Sequence, residues 1–190
     1  MPATPLVLAS TSPRRRDLLA QLGVVPARVA APATDETPRR AELPRAYALR
    51  LAEEKAHAVD RAPQEAVLAG DTTIALGRRI LPPADTPDIQ RDLLSKLSGR
   101  RHHCLSAVCV IGPDGRARTR IADTTVAFAP LTAAEIDAYV ASGEGLGKAG
   151  GYAIQGRAAG FVRFLQGSYS GVVGLPLFET RALLRHAGVV

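Results

Sequence analysis

Tryptophan is absent from these 190 residues, and four Tyr and four Phe are the only aromatics. A platform of stacked rings for nucleic-acid bases is therefore poorly supplied. The net charge of +6 comes from arginines scattered in pairs rather than drawn into one stripe, so nucleic acid is not expected as a partner. Cysteine is scarce: Cys104 and Cys109 stand at an odd spacing in one strand-like segment. That spacing puts them on opposite faces, as small hydrophobes in a reducing compartment. No Cys/His cluster has metal-site spacing, and no G-x-x-x-x-G-K-[ST] occurs, which excludes a P-loop ATPase. Apolar runs stay far short of a membrane span, and Met1-Pro-Ala-Thr-Pro5 lacks the basic and apolar regions of a leader. These absences predict a cytoplasmic protein without a membrane partner. Lysine is rare too, with Lys55, Lys96 and Lys148 against 21 Arg. Where Arg is the default, Lys55 and Lys148 mark positions suited to a compact ammonium, although Lys96, on a helix beside polar residues, shows that rarity alone does not mark a site.

What is present begins with Leu8-Ala-Ser-Thr-Ser-Pro-Arg-Arg-Arg-Asp-Leu-Leu19. Leu6 to Leu8 read as a buried strand, Ser12 as an N-cap and Pro13 as the first helical residue. The helix buries Leu18, Leu19 and Leu22 and closes at Gly23. Arg14, Arg15 and Arg16 in its first turn oppose the macrodipole by roughly 0.3–1 kcal/mol each, so an anion is expected there. Free N–H groups, the hydroxyls of Ser10 and Ser12 and the guanidinium forks suit a phosphate, and a polyphosphate more fully. Three solvated arginines are the plain alternative.

Val24 to Ala31 reads as a second strand, followed by a turn whose Asp35 and Glu36 are candidates for a divalent cation. Pro44 opens a helix to about Val59. Lys55 falls on its apolar stripe, either snorkelling outward or pointing into a cleft. Ala66 to Gly70 reads as a strand presenting Asp71 at its end before extended structure resumes. A carboxylate there holds Mg²⁺ or accepts a proton, unless it merely caps a turn. A helix runs from Thr86-Pro87 to Gly99, and Gly112-Pro-Asp-Gly115 joins the strands His103 to Ile111 and Ala117 to Phe128. Thr132 and Glu135 form a capping box. His102 and His103 receive no role. Gly143 to Gly156 holds six glycines, which admit close approach of backbone to a ligand or form a lid. Within it, the Gln155 amide matches the imide edge of uracil or thymine, or lies on the surface. Gln166 to Gly171 reads as a loop before a last helix, Leu177 to His186. Without repeats or linkers, residues 1–190 read as a single domain, two lobes around one cleft.

Read together, LASTSPRRRDLL, DETP, RLAEEKA, LAGDTT, LSGRRH, GKAGGYAIQG and GSYSGVVGLPL resemble the Maf family of nucleoside triphosphate pyrophosphatases, also known as septum formation inhibitors. GKAGGYAIQG is similar to the branch acting on dTTP and UTP. The resemblance implies a Maf/ITPase-like α/β fold, a long mixed β-sheet with flanking helices and a deep cleft, working as a homodimer. It implies hydrolysis to the monophosphate and pyrophosphate with a divalent metal, Mg or Mn. Ser10, Arg14 and Arg15 match the phosphate-binding turn, Glu36 and Asp71 the essential carboxylates and Lys55 the helix lysine. Asp71 matches the proton acceptor, and Arg14, Thr72 and Gln155 fall where the nucleobase is sorted. The expected set is thus Asp71, Lys55 and Arg15 for catalysis, Ser10, Ser12, Arg14, Thr72, Lys148 and Gln155 for substrate, and Glu36 with Asp71 for metal. Where many relatives place a lysine, this chain reads Ile80-Leu-Pro-Pro-Ala84; Arg78, Arg79 or Lys148 is expected to substitute. A regulatory nucleotide- or nucleic-acid-binding protein acting on septum formation without turnover is the alternative.

Overall fold

Seven strands form one mixed sheet, described by a computed structural model over residues 4–190. Met1, Pro2 and Ala3, the start of the segment read as lacking a leader, lie outside the described residues. In chain order the strands are β1 (Leu6–Ala9), β2 (Arg28–Ala30), β3 (Ala66–Leu76), β4 (Arg79–Leu81), β5 (Arg101–Ile111), β6 (Ala117–Phe128) and β7 (Val162–Gln166). The helices are α1 (Pro13–Gln21), α2 (Pro44–His57), α3 (Pro87–Leu97), α4 (Ala133–Ala141), α5 (Tyr169–Val173) and α6 (Leu177–His186), with a short 3₁₀ turn at Arg157–Phe161. The sheet order is β2-β1-β3-β5-β6-β7, with β4 also on β3. None of the described helices is long and apolar enough to cross a membrane.

Side-chain alternation along β3 and β5 sorts the core. Val67, Ala69, Ala75, Leu105, Ala107 and Cys109 face α2, whose Ala48, Ala52 and Ala56 give a small-residue stripe that lets helix and sheet approach closely. The opposite face is covered in two pieces. Leu8, Leu68 and Val108 lie under α1 and α6, while Ile74, Cys104, Val126 and Phe128 lie under α3 and α4. Val173 packs against both pieces, so α5 bridges them. Cys104 and Cys109 are buried free thiols on opposite faces, as expected.

Several boundaries differ from the sequence reading. β3 does not stop at Gly70 but continues to Leu76, because β5 pairs with it without a break from Val67 to Ala75. Val24 to Ala31 shrinks to three strand residues: Val24 is buried under α1, Val25 is 84% exposed, and Pro26 has no N–H for a ladder. α2 ends at His57 rather than Val59, and β5 starts at Arg101 rather than His103. The Gln166 to Gly171 loop holds the start of α5, capped by the Ser168 side chain. Ser12 precedes Pro13 as expected, yet its side chain makes no capping bond.

Candidate active site

The decisive feature is a gap in the sheet. β1 pairs with β3 only as far as Leu68, and β4 pairs with it only from Ile74. Residues 69–73 therefore have a strand neighbour on the β5 side alone. Side chains from both faces of β3 meet across that open edge, Asp71 and Thr73 toward α2 and Thr72 toward α5.

On the α2 side, Lys55 comes off the buried stripe and remains 7% exposed, so it does not snorkel. Its Nζ lies 2.9 Å from Asp71 Oδ1 and 2.9 Å from Glu36 Oε1. The other oxygen of Asp71 accepts from the Thr73 hydroxyl at 2.7 Å. Glu36 is carried by the segment between β2 and α2, where the Tyr47 hydroxyl donates to its carbonyl at 2.8 Å. Burial pushes the Tyr47 hydroxyl up to about 12, with the Asp71 and Glu36 charges acting in the same sense. Asp35, its expected companion, instead accepts from the Thr37 N–H at 2.9 Å and lines a separate groove.

On the other side, the first turn of α1 contains no acid, and Arg14 and Arg15 turn toward the end of α5. Arg14 Nε donates to the Val173 carbonyl at 3.2 Å and Arg15 Nε to that of Gly174 at 2.9 Å. Cations here complement the negative end of α5 rather than the positive end of α1. A Cβ at Gly70 would lie 3.1 Å from the Ala107 carbonyl oxygen, so glycine eases the approach of β3 to β5 there, while Arg15 Nε would stay in ordinary contact at 3.6 Å. Burial holds Arg15 below its ordinary value, partly opposed by the Asp71 charge.

Both halves line one cleft of about 200 Å³, together with Ser12, Thr72, Lys148 and Gln155. Four cations, Arg14, Arg15, Lys55 and Lys148, face two carboxylates there. Burial lowers the Lys148 pKa and the Arg14 charge lowers it further, partly opposed by Glu144. An adjoining chamber of about 420 Å³ is walled by Tyr47, Ile80 and Pro82 and shares Glu36, Asp71 and Thr72.

Within the expected catalytic, substrate and metal set, Ser10 alone does not line this cleft. It is buried behind it, and its hydroxyl accepts from Arg15 Nη1 at 3.1 Å and from the Ser12 N–H at 3.2 Å. Arg78 and Arg79 line a groove with Leu76 and Arg100 instead. Pro83, two residues past β4, does line the cleft and forms an isolated bridge with Ala149 of the glycine-rich segment, beside Lys148. That segment is held by Gln90 Nε2, which donates to the Gly151 carbonyl at 3.1 Å, and by the Tyr139 hydroxyl, which accepts from the Ala153 N–H at 2.9 Å. Thr73, Tyr47 and the α5 carbonyls were absent from the sequence reading. Thr73 alone left a signal, two residues from Asp71 on the same strand face.

The chain matches the Maf-like protein family over residues 5–187. The dTTP/UTP pyrophosphatase of Sphingopyxis alaskensis is 70% identical over 190 residues, covering 100% of this chain and 98% of that protein. That of Caulobacter vibrioides is 59% identical over 184 residues, covering 96% and 95%. A solved nucleoside-triphosphatase / dITP/XTP pyrophosphatase from Mycobacterium abscessus is a distant likeness, 18% identical over 67% of this chain and 75% of that one, with a TM-score of 0.42, and adds nothing to the assignment. With the family match and end-to-end relatives in agreement, the chain belongs to the Maf-like protein family.

Proposed function

We propose that this protein hydrolyses dTTP and UTP to the nucleoside monophosphate and pyrophosphate. One observation carries the reading: a single cleft joins two arginines locked onto backbone carbonyls to a buried carboxylate anchored by an ammonium and a hydroxyl. The relatives named for dTTP and UTP support the substrate pair, and Gln155 supports it chemically, since its amide offers the donor and acceptor that a pyrimidine imide edge needs. Arg14 and Thr72 would border the same base. A protein that only held nucleotide would use the cationic half of the cleft without needing a buried carboxylate beside it, so turnover is favoured over the regulatory alternative.

A divalent cation, Mg²⁺ or Mn²⁺, belongs to this reading. Glu36 and Asp71 offer hard oxygen donors converging on one point, few enough to leave the remaining positions to substrate phosphate and water. Those two carboxylates would hold the cation, which when bound neutralises charge developing on phosphate oxygens. Asp71 accepts the proton of a water whose oxygen forms the new bond to the α-phosphorus. The bond from that phosphorus to the bridging oxygen breaks, and its electron pair leaves with pyrophosphate. Thr73 orients the Asp71 carboxylate through one oxygen, and Lys55 holds the other in the nucleotide-free protein. Arg15, Ser12 and the first-turn N–H groups of α1 take terminal phosphate oxygens, with Ser10 fixing Arg15 from behind. Lys148 serves as the cation of the Pro83 side, a role that the separate groove of Arg78 and Arg79 does not support.

Pyrophosphate release from dTTP, UTP, CTP, ATP, GTP and 7-methyl-GTP, with Mg²⁺ and with Mn²⁺, tests the proposal. Turnover of dTTP and UTP that Asp71→Asn lacks is the expected result; silence across the panel in folded protein would refute it. The homodimer and the cytoplasmic setting belong to the same proposal, and light scattering should return the mass of two chains.

A further inference from the structure

The Lys55 ammonium sits on the two carboxylate oxygens that a divalent cation would need. Its Nζ is 2.9 Å from Glu36 Oε1 and 2.9 Å from Asp71 Oδ1, and these are the two acids lining the cleft. Cation and ammonium cannot both occupy that point, since a bound Mg²⁺ approaches its oxygens to about 2.0–2.1 Å. Of the two carboxylates, that of Asp71 has a second tether, whereas Glu36 is fixed at its backbone. Asp71 keeps its second bond, to Thr73 at 2.7 Å, whether or not the ammonium is present. The Glu36 segment is tied at two adjoining carbonyls, Glu36 by the Tyr47 hydroxyl at 2.8 Å and Thr37 by Arg50 Nη2 at 3.3 Å. Lys55 is held by these two carboxylates at the end of a flexible four-carbon stem, and its compact charge can turn to another anion.

We infer that Lys55 is an internal occupant of the cation position in the nucleotide-free protein and is displaced onto substrate phosphate when cation and nucleotide enter together. The inference rests on the pyrophosphatase reading and adds an order to it: free cation binds weakly, and nucleotide makes room for it. A guanidinium would be a poorer occupant, being planar and directional, which fits a lysine here in a chain with so few.

Mn²⁺ titration of nucleotide-free protein at pH 8, followed by electron paramagnetic resonance of the free ion, tests this without turnover. Lys55→Met is expected to bind one Mn²⁺ at least about tenfold tighter than the unaltered protein, because it empties the position (tenfold being 1.4 kcal/mol). The gain should vanish in Lys55→Met/Glu36→Gln. Folded Lys55→Met that binds Mn²⁺ no tighter overturns the inference, and so does a gain that survives Glu36→Gln. If Lys55→Met does not fold, rescue of folding by Mn²⁺ supports the displacement, and without rescue Lys55→Gln is read by the same criteria. Pyrophosphate release by the unaltered protein is scored separately: its absence removes the functional reading, whereas turnover with unchanged Mn²⁺ affinity in the variant removes only the displacement.

Discussion

Asp71 has both carboxylate oxygens engaged from within its own protein, by Lys55 on one and Thr73 on the other. Asp71→Asn is expected to lower pyrophosphate release by about 10²–10⁴-fold, the range for loss of a positioned base, while calorimetry with a non-hydrolysable dUTP analogue shows binding retained. Thr73→Val keeps the shape and removes one anchor. With about 1–3 kcal/mol at stake for the unpaired buried oxygen, kcat should fall roughly 5- to 150-fold in steady-state assays. Lys148→Met should lower kcat/KM by about 10- to 100-fold, the worth of one charged hydrogen bond. Pro83→Lys should recover part of that loss in the Lys148→Met protein yet give no large gain by itself; a greatly more active Pro83→Lys single variant would show that Lys148 does not fill the role.

The open edge of β3 creates the site, and no residue in the strand announces it. Gly70 suggests a stop, but pairing with β5 overrides a single glycine; what ends nearby is β1, whose last partner on β3 is Leu68. The short α5 is equally decisive, since its terminal carbonyls fix the direction of Arg14 and Arg15. The glycine-rich segment is packed rather than loose: a Cβ at Gly145 would lie 2.0 Å from the Gly151 carbonyl oxygen and 2.2 Å from Gln90 Nε2. Gly145→Ala should therefore cost about 1–3 kcal/mol or more in urea denaturation, as overpacking does, and should raise KM through displacement of Gln155.

At the scale of the whole molecule, the core beneath the cleft contains a buried imidazole. His102 is fully buried, with Nε2 2.8 Å from the Tyr152 hydroxyl and its ring edge-on to Phe128. Burial lowers its pKa from 6.5 to about 4. Above pH 6.5 the ring is neutral in both folded and unfolded chains and contributes no pH dependence. Between about 6.5 and 4 the unfolded chain binds the extra proton, so stability falls as the pH falls. At 1.36 kcal/mol per unit the whole effect is roughly 3 kcal/mol. Urea midpoints at pH 7, 5.5 and 4.5 should decline along this course, and His102→Gln, which keeps a hydrogen-bonding group without the titration, should flatten it.

From the sequence alone came the strand-turn-helix start, the helices of Pro44, Pro87, Thr132 and Leu177, and the β5–β6 hairpin, because caps, prolines and apolar periodicity are local in cause. Sequence also named Arg14, Arg15, Glu36, Lys55, Asp71, Lys148 and Gln155, since charge against a dipole, a lysine in an apolar stripe and a polar amide among glycines are anomalies visible without coordinates, whereas Thr72 came from the family resemblance. Tertiary structure decided what those groups face. Arg15 is separated from Gly174 by 159 positions and Lys55 from Asp71 by 16, distances over which no periodicity informs. Only the early end of β1 and late start of β4 bring the two halves to one edge, and only packing separates Lys148, in the cleft, from Lys96, paired with Asp92 outside it.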